Sequence, residues 1–237
     1  MKFSKIIVLP TYNEEENLGK VLETLKNNYP EFFLLVVDDS DNDLTENLFN
    51  KFNYQNSKII KRNKKMGRGS AVRLGFEYAV KNDFSTIAEM DSDCSHEPLE
   101  LKNLIDHFMK NNCDLVIGSR YLKDSKIINW GFKRIFFSKL ANYLAKLLFN
   151  YPVTDYTNGY RVYNKKLVKK ILEYPQLNSG FIYLTEILLI VFNNNYKCLE
   201  VPTTFVNRTM GKSSVNLRSI TSSFFGIIRL KLNSKVF

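Results

Sequence analysis

Apolar and polar positions along the first half of the chain switch repeatedly between two periods. Short runs rich in β-branched and aromatic residues at Lys5–Leu9, Phe32–Asp38, Ser57–Lys61, Phe84–Met90 and Asp114–Ile117 predict strands. Between them, Glu14–Asn28, Asp43–Phe52, Gly69–Lys81 and Pro98–Lys110 carry apolar residues at helical spacing. Alternation at this rhythm implies an α/β fold, a mostly parallel central sheet flanked by helices on both faces. The second half is less regular. Phe132–Phe149 and Tyr183–Asn193 predict helices, Lys197–Val201 and Thr203–Asn207 a late strand pair around Pro202, and Leu217–Leu232 a basic helix rich in apolar residues. No long linker, low-complexity run or internal repeat divides the chain, so 1–237 reads as one domain.

One helix has a finer pattern. At about 100° per residue, Arg134, Ser138, Lys139, Asn142 and Lys146 fall in one polar sector, interrupted by Ile135 and Phe149. Phe136, Phe137, Leu140, Tyr143, Leu144, Leu147 and Leu148 fill the opposite side. A basic amphipathic helix of this kind suits a membrane surface, and an ordinary packed helix has the same pattern.

Charge narrows the partners. Lys+Arg of 34 against Asp+Glu of 24 gives a net charge of +10, which suits nucleic acid, an anionic membrane or a phosphorylated substrate, or solubility alone. The longest apolar stretch, Phe181–Phe192, contains Glu186 and falls short of the roughly 20 residues of a spanning helix. The N-terminal run Ile6–Leu9 meets Pro10 too soon for a signal peptide. Three cysteines without a CxxC pair fit a reducing compartment. The expectation is a cytoplasmic protein, peripheral at the cytosolic face of a membrane.

Candidate chemistry collects at the carboxyl ends of the predicted strands, where open α/β sheets bind ligands. Pro10-Thr11-Tyr12-Asn13-Glu14 follows the first strand, Asp38-Asp39 closes the second, and Asp91-Ser92-Asp93 follows the fourth. In an extended chain Asp91 and Asp93 point the same way, a pairing that suits a hard divalent cation such as Mg²⁺ or Mn²⁺ shared with substrate phosphates. The same two acids in an isolated turn would simply be solvated. Asp39 can accept hydrogen bonds from a ribose or base edge.

These segments, in order, resemble family 2 glycosyltransferases. The residues that carry the resemblance are Pro-Thr-Tyr-Asn-Glu at 10–14, Val-Asp-Asp at 37–39, Met-Asp-Ser-Asp-Cys-Ser-His-Glu-Pro at 90–98 and Gly-Ser-Arg-Tyr at 118–121. Asn129-Trp130, Lys133-Arg134 and Ser138, Asp155–Arg161 and Phe205–Ser213 continue it over almost the whole chain. Within the family it is most similar to the dolichol-phosphate and polyprenol-phosphate mannosyltransferases. That resemblance implies the GT-A nucleotide-diphosphosugar fold, with a nucleotide-sugar-binding half at 1–122 and an acceptor-binding half at 123–237. It implies that Pro10, Tyr12, Glu14, Val37, Asp39 and Ser92 hold the donor, with Arg208 at its diphosphate. By the same likeness Asp91 and Asp93 hold the metal, and Arg120, Arg134 and Ser138 hold the acceptor phosphate. The implied reaction is inverting transfer of mannose from GDP-mannose to dolichyl or polyprenyl phosphate. Relatives occur with and without spanning segments, which leaves room for a separate anchoring subunit.

The chemistry of such an acceptor agrees with the residues present. A phosphate monoester is ionised near neutral pH and needs no protein base, only positive charge to orient it. Arginine supplies that charge with a planar fork. A sugar hydroxyl would instead need a general base, and His96 and His107 are the only histidines. His96 reads as structural. The sequence departs from the family at Leu44, Thr185 and Ser214, positions usually held by Gly, Gln and Lys; Lys212 lies two residues before Ser214. The competing readings are another donor such as UDP-glucose, a non-lipid acceptor, or a non-catalytic membrane-surface module on the same fold. Nucleic-acid binding rests on charge alone and is not expected.

Overall fold

Strand β1 (Lys5–Thr11) sets the layering. Ile6 and Val8 point into one core and Ile7 and Leu9 into another, all four fully buried. A strand that alternates faces yet is apolar on both can only be central in a covered sheet. In a computed structural model, which describes residues 3–207 and 217–236, that is its position. The chain continues through α1 (Glu15–Asn28), β2 (Phe32–Asp38), α2 (Leu44–Phe52), β3 (Ser57–Lys61), α3 (Arg68–Lys81), β4 (Thr86–Glu89), α4 (Leu101–Lys110) and β5 (Leu115–Ser119). Then follow β6 (Lys126–Ile128), α5 (Phe132–Phe149), β7 (Arg161–Asn164), α6 (Lys165–Glu173), α7 (Tyr183–Asn193), β8 (Cys198–Pro202), β9 (Thr204–Val206) and α8 (Leu217–Leu232).

The main sheet runs β3-β2-β1-β4-β7-β5-β8, parallel throughout except for the antiparallel β7. Helices α1, α2 and α4 cover one face, and α3, α5, α6, α7 and α8 contribute to the other core. The α/β sandwich predicted from the pattern is the observed architecture. The sheet order reverses at β1, whose neighbours are β2 and β4, and the crevice at such a reversal is where ligands bind. Register brings Thr11 opposite Asp38 and Val8 opposite Glu89, so the segments leaving β1, β2 and β4 emerge side by side.

Six elements differ from the pattern reading, in three ways. The predicted late strand pair does not pair with itself: β8 joins the main sheet beside β5, while β9 pairs with β6 in a separate two-stranded sheet. Pro202 ends the first of these strands, and Thr203 N–H donates to Ser119 O at the crossover. β6, β7 and α6 were not expected; β6 and β7 have three and four residues, too few to show a period. Helix α5 is amphipathic, but its middle polar residues face inward. Asn142 is buried, accepting from Tyr156 N–H and donating to Thr157 Oγ1, while Phe132, Phe136, Leu140, Tyr143 and Leu147 are exposed.

Candidate active site

The strand ends are tied together before any ligand arrives. Asp39 N–H donates to Thr11 O, joining the exits of β2 and β1, and Ser92 Oγ donates to Pro10 O at 3.1 Å, joining β4 to β1. The acidic turn after β4 is built locally. Asp93 Oδ1 accepts from Ser95 N–H at 3.0 Å, and Cys94 takes a left-handed conformation (φ 59°) that reverses the chain. His96 supports the same turn from below. Its Nδ1 accepts from Asp91 N–H at 3.1 Å, which leaves the proton on Nε2 facing Asn158 Oδ1 at 2.9 Å. The ring is fully buried, stacked on Tyr160 with 4.8 Å between centroids. Burial depresses the His96 pKa, opposed by Asp91, so a neutral structural imidazole fits.

Pro10, Tyr12, Glu14, Asp39, Asp91, Ser92 and Asp93 all line one cleft of about 590 Å³. Seven of the residues expected on the donor and metal side therefore converge. Val37 does not line it: its side chain lies in the core, leaving only its backbone near the strand exit. Arg208 lies outside the described residues, as do Lys212 and Ser214.

The opposite wall of the cleft was missed by the sequence reading. Lys65, Gly67, Arg68, Gly180 and Phe181 line it. The signal was present as Lys64-Lys65-Met66-Gly67-Arg68-Gly69, a basic, glycine-bearing turn at a helix N-terminus, an arrangement suited to anions. Gly67 sits at φ 97°, and a Cβ there would lie 2.5 Å from Ser179 O, so no other residue fits without moving the backbone. Met66 and Gly67 N–H groups donate to Asp39 Oδ2, and Arg62 Nε donates to Asp39 Oδ1 at 2.5 Å. Asp39 thus holds the basic turn against the cleft. Arg68 Nε donates to Asp91 Oδ1 at 2.6 Å. Burial alone would raise the Asp91 pKa, but the Arg68 guanidinium holds it below the ordinary carboxylate range. Glu89, fully buried beneath, is pushed up by burial despite Arg68 and accepts from the hydroxyls of Tyr163 and Tyr183.

On the acceptor side, Arg120 and Arg134 meet at one ring. Their guanidinium carbons lie 5.6 and 4.2 Å from the centroid of Trp130. Arg120 is buried and donates through Nε and Nη2 to the two Asp155 oxygens at 2.7 and 2.8 Å. Burial opposes its charge, but Asp155 keeps it firmly protonated. Arg134 Nη1 donates to Asn207 Oδ1 at 2.6 Å. Ser138 Oγ accepts from Tyr121 OH at 2.6 Å. A groove of about 490 Å³ beside them is lined by Arg120, Tyr121, Lys139, Tyr143 and Lys146. The three acceptor-side candidates are therefore neighbours, although Arg120 spends one edge of its fork on Asp155.

Comparison with known proteins fits this geometry. The sequence profile described as Glycosyl transferase family 2 matches residues 6–172. This chain belongs to glycosyl transferase family 2. The polyprenol monophosphomannose synthase of Mycolicibacterium smegmatis is 32% identical over 94% of this chain and 84% of its own length. The undecaprenyl-phosphate mannosyltransferase of Micrococcus luteus is 30% identical over 89% of this chain and 87% of its own. Among solved structures, glucosyl-3-phosphoglycerate synthase of Mycobacterium tuberculosis, in complex with Mn²⁺, UDP-glucose and phosphoglyceric acid, superposes with a TM-score of 0.72. It is 17% identical and covers 98% of this chain and 79% of that one. Mannosyl-3-phosphoglycerate synthase from Rubrobacter xylanophilus gives 0.70 at 18% identity, covering 98% and 73%. The family 2 chain thus has the GT-A fold and is a glycosyltransferase, and the cleft at the β1/β4 reversal is its candidate active site.

Proposed function

We propose that this enzyme transfers mannose, with inversion, from GDP-mannose to a polyprenyl or dolichyl phosphate at a membrane surface. The observation that carries the reading is the convergence of Tyr12, Glu14, Asp39, Asp91 and Asp93 from three strand exits on one cleft. Both named relatives act on polyprenyl phosphates, by their names, and are similar over most of their length.

Tyr12, Glu14 and Asp39 are assigned to the nucleoside and Asp91 with Asp93 to a divalent cation. The donor set fits such an ion. Two hard carboxylates flank the cleft, and Mg²⁺ or Mn²⁺ commonly takes one or two carboxylates plus substrate phosphates. No group of three or more His, Cys, Asp or Glu side chains converges among the described residues, and an ion held by two carboxylates commonly completes its shell with substrate phosphates and water. When bound, the cation supplies Lewis-acid stabilisation of the leaving diphosphate. The acceptor phosphate arrives ionised, so the protein need only orient it. Arg134, over Trp130, is assigned its direct grip. Arg120 contributes charge from its position against Asp155, and Ser138 with Tyr121 shapes the approach.

The membrane assignment rests on the outer surface of α5 and α8. Phe132, Leu147, Phe225 and Leu232 are 67–82% exposed, with Tyr143 and Ile228 beside them in sequence on the same helices, which pack together. Lys133, Lys139, Lys146, Arg229 and Lys231 on these helices are exposed as well. An apolar surface with a basic fringe suits an anionic bilayer, and Lys139, Tyr143 and Lys146 also line the groove by Arg120. No helix of the described residues is long and apolar enough to cross a membrane.

The test is purified protein with polyprenyl phosphate and a panel of nucleotide sugars, with Mn²⁺, with Mg²⁺ or with EDTA. Mannosyl lipid from GDP-mannose, abolished by EDTA, is expected. Transfer from UDP-glucose alone would replace the donor assignment, and undiminished transfer in EDTA would remove the cation.

A further inference from the structure

Arg68 is already paired with Asp91, one of the two carboxylates assigned to the divalent cation. Its guanidinium enters from the first turn of α3 and donates to Asp91 Oδ1, to the Tyr183 hydroxyl and, at 3.2 Å, to Gly159 O; its Nη1 lies 3.8 Å from Glu89 Oε1. The side chain is about nine-tenths buried and yet lines the donor cleft. Two acids, Glu89 and Asp91, face this one cation. Arg161, the other arginine close enough to act on Glu89, is committed to the carbonyls of Tyr156, Asn158 and Leu184. Gly159 shows how closely the site is shaped to the guanidinium: a Cβ there would fall 2.1 Å from Arg68 Nη2. The same turn covers a second donor-side residue, with Lys65 Nζ 4.2 Å from the centroid of Tyr12.

We propose that Arg68 is the resident counter-ion of Asp91 in the donor-free enzyme and that the divalent cation binds by exchanging with it. This rests on the metal reading given above. A divalent cation on Asp91 would lie beside the guanidinium already bonded to Oδ1, so metal arriving alone is opposed by that charge until the arginine leaves Asp91 and Glu89, its acidic partners among the described residues. A nucleoside diphosphate changes that balance, because its phosphates offer the released fork a new bidentate partner within the same cleft. Metal and nucleotide binding are then coupled through one side chain: each favours the state the other needs. The benefit is that the cleft's acids are neutralised while empty and that metal is retained mainly together with donor.

The experiment reads Mn²⁺ affinity directly, by electron paramagnetic resonance of free Mn²⁺, with no acceptor and no turnover. Wild-type protein should bind Mn²⁺ weakly alone and more tightly with GDP. In R68M, Mn²⁺ alone should bind about five- to tenfold more tightly, while the gain on adding GDP shrinks. G159A keeps the charge but evicts it, so it should shift Mn²⁺ binding in the same direction and covers the case in which R68M fails to fold. K65M removes a cleft charge that does not touch Asp91 and should change Mn²⁺ affinity less than twofold. Unchanged or weaker Mn²⁺ binding in folded R68M or G159A overturns the exchange, as does an equal effect in K65M, which would indicate a general field. If wild-type protein binds no Mn²⁺ even with GDP, the metal reading itself fails, a result distinct from the others.

Discussion

The donor cleft and the α5–α8 surface handle polarity in opposite ways. In the cleft, charged side chains leave rigid strand ends and are already partnered: Asp39 by Arg62 and two backbone N–H groups, Asp91 by Arg68, Asp93 by Ser95. On the helices, polar groups such as Asn142 and Ser138 turn inward, while Phe132, Phe136, Leu140, Leu147, Phe225 and Leu232 face out. A site that must bind a small, highly charged donor is preorganised by charge, because paired groups on strands do not need to be collected when the ligand arrives. A surface that must meet a fluid bilayer needs area and positive fringe rather than fixed geometry. The two regions meet at Arg120, which is linked electrostatically to Asp91 and also lines the groove beside α5.

The largest effect expected from breaking this contrast lies in the cleft. D91A or D93A should lower transfer about 10³-fold or more, measured as turnover at saturating donor, with vesicle binding intact. Next, the two acceptor arginines should separate. R120A leaves Asp155 buried without its partner and should cost about 3–5 kcal/mol of stability in urea unfolding. R134A, half-buried over Trp130, should spare stability and donor affinity while raising the KM for polyprenyl phosphate about tenfold or more. On the outer surface, a double change L147S and L232S should weaken binding to anionic vesicles about tenfold. It should leave Tm and the turnover of a short, water-soluble polyprenyl phosphate nearly unchanged. An equal loss on the soluble acceptor would place these leucines in the active site.

The smallest effect concerns pH. Glu186 is buried on α7 and pushed up to about 7 by burial, opposed by hydrogen bonds from Asn178 and the Leu177 N–H. Those partners belong to the segment leading to Gly180 and Phe181 on the cleft wall. A carboxyl raised in the folded state binds its proton more tightly there than in the unfolded chain. Its stabilising contribution is therefore complete below about pH 4.5 and is lost as pH rises through about 7. E186Q should flatten that part of the stability–pH curve between pH 5 and 7, checked by urea midpoints across the range.

Legibility in the sequence followed the same divide. Strand-end acids announce themselves because a buried apolar run ending in Asp has few structural explanations, and Asp39, Asp91 and Asp93 were found that way. Arg68 was not, since a basic residue at a helix start looks like any solvated lysine or arginine until the partner acids, 21 and 23 residues downstream, are known in space. β6 and β7 escaped because they are too short to show a period, and the separation of β8 from β9 depends on partners far along the chain. For α5 the pattern gave the two faces but not which one packs inward. That choice is made by Asn142 and Ala145, whose small or hydrogen-bonding side chains let the helix sit close to the Tyr156 segment.

The central claim is an anionic lipid acceptor delivered to a metal-holding donor cleft. It is tested most directly with radiolabelled GDP-mannose, Mn²⁺ and two acceptors of equal chain length, polyprenyl phosphate and the phosphate-free polyprenol. The account predicts labelled lipid from the phosphate only, absent in D91A. Equal labelling of the free alcohol, or labelling of neither while a non-lipid acceptor is glycosylated, would contradict it.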